Sequence, residues 1–275
     1  MRPLKPAEIL DLTIETGITK CNSSFSRLLI LGFLAGAYIS LAGIGASMGT
    51  FNLVANPETF GLGRLVSGCV FATGLTIVVL AGAELFTGNT LILVAALEKK
   101  VRYVSMFRNW VIVYIANLLG AILIAWMLSQ TGLLNVGDNL VGAVTLRIAS
   151  GKVNLTFVQA FILGILCNWL VCLAVWMSSG ADSTIGKIFS IFFPIMLFVT
   201  AGFEHCVANM FYIPAGIFAK ANEAFVILSG VTQDALNNLT WSGFFINNLI
   251  PVTLGNFIGG TCFVAIAYWY AYKKA

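Results

Sequence analysis

Hydrophobic residues in this chain run in long blocks separated by short polar segments, with little of the regular apolar–polar exchange of a water-facing helix or strand. Six blocks stand out, at about residues 28–48, 65–97, 110–128, 155–177, 188–217 and 244–272. A helix rises 1.5 Å per residue, so about 20 apolar residues cross a bilayer core. Each block is long enough, and the pattern predicts an all-α membrane protein with six transmembrane helices. Blocks two and five exceed a straight crossing. Each holds glycines and ionisable groups near its middle: Glu84 in the second, and Glu204 and His205, with Pro194 and Pro214, in the fifth. That combination marks an interrupted helix. Residues 1–27 read as a polar amphipathic segment, with Leu4, Ile9, Leu12 and Ile14 among Glu8, Asp11 and Glu15. It predicts an N-terminal helix at the membrane surface or against the bundle. No cleavable signal peptide is visible. The expected organisation is a segment 1–27 followed by a six-span domain 28–275.

The two interrupted blocks share a pattern. Residues 81–89 and 201–209 both read A-G-x-E-x-x-x-x-N, 120 residues apart. Two weaker matches flank it in the same order: residues 33–36 with 161–164, at an offset of 128, and 117–120 with 256–259, at 139. Three spans per half is an odd number, so the halves 28–130 and 154–272 enter the membrane from opposite sides as an inverted 3+3 repeat. Two breaks then converge near the midplane. Half-helix N-termini carry partial positive charge, which predicts an anion site there.

Composition agrees with burial in lipid: 59% of the residues are hydrophobic and 9% charged, against about 25% charged in soluble domains. The net charge of +4 comes from lysines and arginines beside the apolar blocks, which points to topology and away from nucleic acid. With both termini in the cytoplasm, Arg2, Lys5, Lys20, Arg27, Lys99, Lys100, Arg102, Arg108, Lys187, Lys273 and Lys274 face inward, and Arg64, Arg147, Lys152 and Lys220 outward. The expected location is the inner or plasma membrane. The six cysteines form no C-x-x-C pair and read as small buried residues. No P-loop, G-x-S-x-G or H-E-x-x-H is present, so no enzyme and no cofactor is indicated. A single histidine excludes a bis-histidine haem and a twin-histidine pore, and N-P-A boxes are absent.

Candidate chemistry gathers at the breaks. His205 is a candidate proton or hydrogen-bond donor to a passing solute, since imidazole titrates near neutrality. Thr87 can donate and accept, and also suits a helix N-cap. Glu84 and Glu204, placed symmetrically, are expected to accept hydrogen bonds from the broken-helix backbone beside Gly82, Gly88 and Gly202. Asn89, Asn209 and Asn168 read as helix-to-helix bonds rather than ligands, with Asn168 also a candidate pore residue. Lys152 is either a vestibule charge or a snorkelling interfacial lysine. Phe71, Leu75, Leu85, Phe86, Val171 and Phe198 flank the breaks as candidate apolar constrictions.

Taken together, GAELFTG (82–88), NWLVCLAVWM (168–177), GFEHCVANM (202–210) and IPVTLGN (250–256) resemble the formate/nitrite transporter family. The resemblance implies a homopentamer with a pore through each aquaporin-like protomer. It also implies passage of small monovalent anions: formate, nitrite or hydrosulfide. In that family a loop threonine and a span-five histidine meet between two apolar constrictions, roles that map onto Thr87 and His205; Lys152 matches a lysine near the start of span four. The F-Y-I-P after Met210 resembles the formate branch, while Gly88 stands where some formate channels have serine. The rival expectations are a proton-coupled secondary transporter of the same anions and a membrane-embedded enzyme.

Overall fold

A computed structural model describes residues 2–273; Met1, Lys274 and Ala275, and with them the expected cytoplasmic charge of Lys274, lie outside the described residues. The chain folds in the order α1 (Pro6–Cys21), α2 (Phe25–Ala55), α3 (Phe60–Ala81), a break, α4 (Phe86–Asn89), a 3-10 turn, α5 (Leu93–Leu97), α6 (Tyr103–Ser129) and α7 (Leu140–Val153). Then follow α8 (Phe157–Gly180), α9 (Thr184–Ala201), a second break, α10 (Cys206–Ala219), α11 (Glu223–Ser229) and α12 (Gln233–Asn237). The last span combines π-helical turns with α13 (Ile250–Gly260) and α14 (Ala267–Tyr272). Among the described residues six helices are long and apolar enough to cross a membrane, ending with the composite Gly243–Tyr272. Blocks two and five are both interrupted, as their length and central polar residues predict. The segments between the blocks also hold helices: 131–153 carries α7 and 218–243 carries α11 and α12, which bury Val141, Leu146, Phe225 and Leu236.

Both breaks start the same way. Gly82 and Gly202 take left-handed conformations, with φ of 80° and 84°, at the ends of α3 and α9. Without a Cβ this costs little, and it turns the chain out of the helix. Ala83 N–H then returns to Val78 O, and Phe203 N–H to Phe198 O. Glu84 N–H bonds Leu31 O across to α2, and Glu204 N–H bonds Leu163 O across to α8.

Those cross-links fix the repeat and correct its register in the first span. Leu31 and Leu163 are 132 residues apart, as are Gly32 and Gly164, whose carbonyls take the amides of Asn117 and Asn256 at 2.7 and 2.8 Å. The offset of 128 suggested by the Phe-x-x-Gly matches is therefore about one helical turn out. Both registers put glycine on the same face of the helix, so pattern alone could not separate them. At 132, α1 pairs with α7. The N-terminal helix thus lies against the bundle, burying Ile9, Leu10 and Gly17, with Gly17 beside Ala95.

Helices α2 and α6 cross so closely that a Cβ on Gly120 would overlap the Phe33 carbonyl; its counterpart Gly259 meets Ile165 O in the same way where α8 crosses α13. Backbone contact of this kind drives helix association where lipid offers no hydrophobic gain. Gly120→Ala is expected to destabilise the fold by about 1–3 kcal/mol. Gly61→Ala, with nothing within 4 Å, is expected to leave it unchanged. Thermal midpoints of the two variants in one detergent check the contrast; equal midpoints would remove the crossing from the account.

Candidate functional site

A broken helix in a membrane exposes backbone groups that lipid cannot satisfy. Two asparagines meet this need. Asn117 Oδ1 accepts Phe86 N–H at 2.9 Å while its amide donates to Gly32 O and Glu84 O at 2.7 and 3.0 Å. Asn256 Oδ1 accepts Cys206 N–H at 2.8 Å while its amide donates to Gly164 O and Glu204 O at 2.8 and 2.9 Å. The expected assignment of this work to Glu84 and Glu204 is corrected. Their side chains instead hold lysines. Glu84 accepts Lys20 Nζ at 2.8 Å and Asn89 Nδ2 at 2.7 Å. Glu204 accepts Lys152 Nζ at 2.7 Å and Asn209 Nδ2 at 2.7 Å. The amides of Asn89 and Asn209 donate onward to Asn109 and Asn248, which in turn donate to the carbonyls of Lys20 and Lys152.

Lys152 is therefore no snorkelling lysine. Its side chain is 16% exposed and points into the second break from α7. Lys20, near the end of α1, is its partner in the first half. Sequence reading placed Lys20 among cytoplasmic charges; the 132-residue spacing from Lys152 was the signal that could have found it.

The breaks meet at Thr87 and His205. Thr87 Oγ1 and His205 Nε2 lie 2.9 Å apart and are fully buried. His205 is the N-cap of α10, and its Nδ1 accepts Ala208 N–H at 3.1 Å. That nitrogen carries no proton, so in the neutral ring the N–H sits on Nε2 and donates to Thr87. The Thr87 hydroxyl hydrogen then remains free for a third partner. The expected capping role for Thr87 does not appear: Leu85 is the N-cap of α4, and Thr87 lies in its first turn. The half-helix N-termini expected to attract an anion are largely occupied, since Phe86, Cys206 and Ala208 N–H all have side-chain acceptors.

Beside this pair lies a chamber lined by Ile39, Phe71, Leu75, Leu85, Val171, Ile195, Phe198 and His205. Three pairs in that lining are repeat mates: Ile39 with Val171, Leu75 with Ile195, and Leu85 with His205. Ile39 and Ile195 were not singled out from sequence; apolar residues inside apolar helices carry no signal of their own. His205 supplies the chamber's one polar side chain. Free volume is about 10 Å³, room for no more than about one water.

Two larger cavities flank the chamber. One, of about 280 Å³, shares Leu75 and Leu85 with it and is lined by Thr13, Thr16 and Lys20 of α1 together with Glu84, Gly88 and Asn89. The other, of about 120 Å³, shares Phe71, Phe198 and His205 with it and holds Arg64, Ser67, Lys152, Gly202, Glu204, Asn209 and Tyr212. The chamber thus adjoins both cavities, with leucines shared on the α1 side and phenylalanines on the α7 side. Phe86 is not on it. Its ring packs 4.9 Å from Tyr114, facing away into a groove between α6 and α13. Asn168 bridges helices, donating to Asn256 O at 2.7 Å and Thr87 O at 3.3 Å.

Comparison with known proteins identifies the family. A probable formate transporter of Methanothermobacter thermautotrophicus is 44% identical, the match covering 98% of this chain and 97% of that protein. The formate channel BtFdhC of Bacillus thuringiensis is 43% identical, over 98% of this chain and 96% of its own. A solved pentameric formate channel with formate bound superposes with a TM-score of 0.80 at 36% identity, covering 91% of this chain and 98% of that one. The family model for formate/nitrite transporters matches residues 7–270, and the chain belongs to that family.

Proposed function

We propose that the protein is a membrane channel for the small monovalent anion of a weak acid, formate first, and that it works as a homopentamer with one pore per protomer. The observation that carries this reading is His205, bonded to Thr87, as the one polar side chain of an otherwise apolar chamber between two polar cavities. Formate is favoured over nitrite and hydrosulfide by the relatives, whose names give formate as their substrate.

In the proposed mechanism the anion gathers in a vestibule and reaches an apolar ring. Carrying a bare charge through that ring is costly, and carrying a neutral polar molecule far less so. The hydroxyl hydrogen of Thr87, backed by His205 Nε2–H, offers the anion one strong hydrogen bond at that point. His205 holds a single ring proton in this arrangement, because Nδ1 is committed to Ala208. Outright donation would strip the ring of its last N–H. The geometry thus favours hydrogen-bond assistance over proton delivery from the ring. The crossing requires Phe71, Leu75, Leu85 or Phe198 to move, since the chamber as built is too small for a formate ion. Orientation with α1 and both termini in the cytoplasm is part of the proposal and rests on the lysine and arginine count. Proton-coupled transport of the same anions is the second reading; accumulation of formate against its gradient under an imposed pH step would favour it.

Thr87→Val and His205→Phe are each expected to lower formate flux into liposomes about 10- to 100-fold, the worth of one hydrogen bond to a charged group. Valine stands at the repeat position of Thr87, as Val207, so the fold should tolerate it. Unchanged rates and pH dependence in both variants would remove the pair from the mechanism. Side-by-side flux of formate, nitrite and hydrosulfide through the unaltered protein is expected to rank formate first. No flux of any of the three would overturn the channel reading.

A further inference from the structure

The two cavities flanking the chamber are not equivalent. In the α1-side cavity Lys20 donates to Glu84 at 2.8 Å and to Asn89 Oδ1 at 2.6 Å. In the α7-side cavity Lys152 pairs with Glu204, and Arg64 stands close enough to Glu204 for their charges to interact but makes no ion-pair contact among the described residues. Arg64 reaches from the first turns of α3 to the end of α9. Its Nη2 donates to Val199 O at 2.6 Å and its Nε to Thr200 O at 3.2 Å. These bonds suit the partial negative charge of a helix C-terminus and fix the guanidinium in place. They leave Nη1 unused. Ser67 and Tyr212 line the same 120 Å³ cavity, and among the described residues neither hydroxyl has a hydrogen-bond partner. The repeat position of Arg64 is Thr184, so the other cavity has no counterpart.

From these observations we infer that Arg64 Nη1, with the Ser67 and Tyr212 hydroxyls, forms a docking site for one small carboxylate or similar oxyanion at the α7-side entrance. The inference rests on the channel reading above and adds a sidedness to it. A held positive charge and two free hydroxyl donors match an anion that is mostly acceptor. The cavity borders Phe71, Phe198 and His205, so an anion docked there waits directly before the phenylalanine ring. Low-dielectric walls strengthen the attraction relative to open water. The site concentrates anion from one side only, whatever the residues of the chamber then do to it.

The test measures formate uptake against concentration in right-side-out and inside-out membrane vesicles carrying the unaltered protein or Arg64→Gln. For entry from the α7 side the half-saturating concentration is expected to rise about tenfold, the lower end of what a charge does in such a cleft. Maximal rate should stay within about twofold, as for loss of a binding contact that does not assist the crossing itself. Entry from the α1 side should keep its half-saturating concentration. Arg64 also ties α9, so a second variant, Ser67→Ala with Tyr212→Phe, removes donors while leaving that tie; it should shift the α7-side value about threefold in the same direction. If the unaltered protein conducts and both variants saturate as it does, or shift both directions alike, the docking site is wrong. If the unaltered protein conducts none of formate, nitrite and hydrosulfide, the channel reading itself fails.

Discussion

The structure depends on satisfying the backbone where a membrane helix stops and restarts. Each open amide or carbonyl in hydrocarbon costs several kcal/mol. Asn117 and Asn256 answer this with three bonds apiece, to one backbone N–H and two backbone carbonyls. A carboxylate accepts only and could not do the same work. The acids are free for a different task. Each holds a lysine from the helix opening its half, so that the α1 and α7 ends are tied to the breaks. Buried ion pairs of this kind add little net stability, but losing one partner strands a charge. Their value lies in specifying where α1 and α7 end.

Against that symmetric frame, the chemistry sits where the halves differ. His205 faces the pore where Leu85 does in the other half, and Thr87 stands where the mate is Val207. Asn168 takes the position of Gly36: the glycine lets α2 touch Asn117 O directly, while the asparagine spans the wider gap with an amide to Asn256 O. The scaffold is thus built twice and the polar pair once. A single imidazole–hydroxyl pair can serve passage in both directions, whereas a symmetric doubling would place a second imidazole, at Leu85, in the apolar chamber.

Much of this was legible in the sequence. The six blocks, the two interruptions and the A-G-x-E-x-x-x-x-N repeat came directly from pattern, because lipid leaves so few ways to place glycine and charge. Family resemblance paired Thr87 with His205, which no spacing along one helix could reveal. What escaped had physical reasons. The register of span one slipped from 132 to 128 because a shift of about one turn keeps the same face. Lys20 hid in a polar amphipathic segment where a cation draws no attention. Phe86 was grouped with the constriction residues by proximity, yet adjacent positions on a helix point about 100° apart and its ring leaves the pore for Tyr114. Arg64 was read as topology alone, since sequence does not show that its would-be partner Glu204 is already taken.

The lysine–glutamate ties have one more consequence, in the order of synthesis. Lys20 is made before Glu84, and Lys152 before Glu204. Each acid therefore leaves the ribosome with its counter-ion already waiting upstream, so neither half has to insert a lone carboxylate and hold it until the other half arrives. Each of these two acids thus meets its counter-charge within its own half.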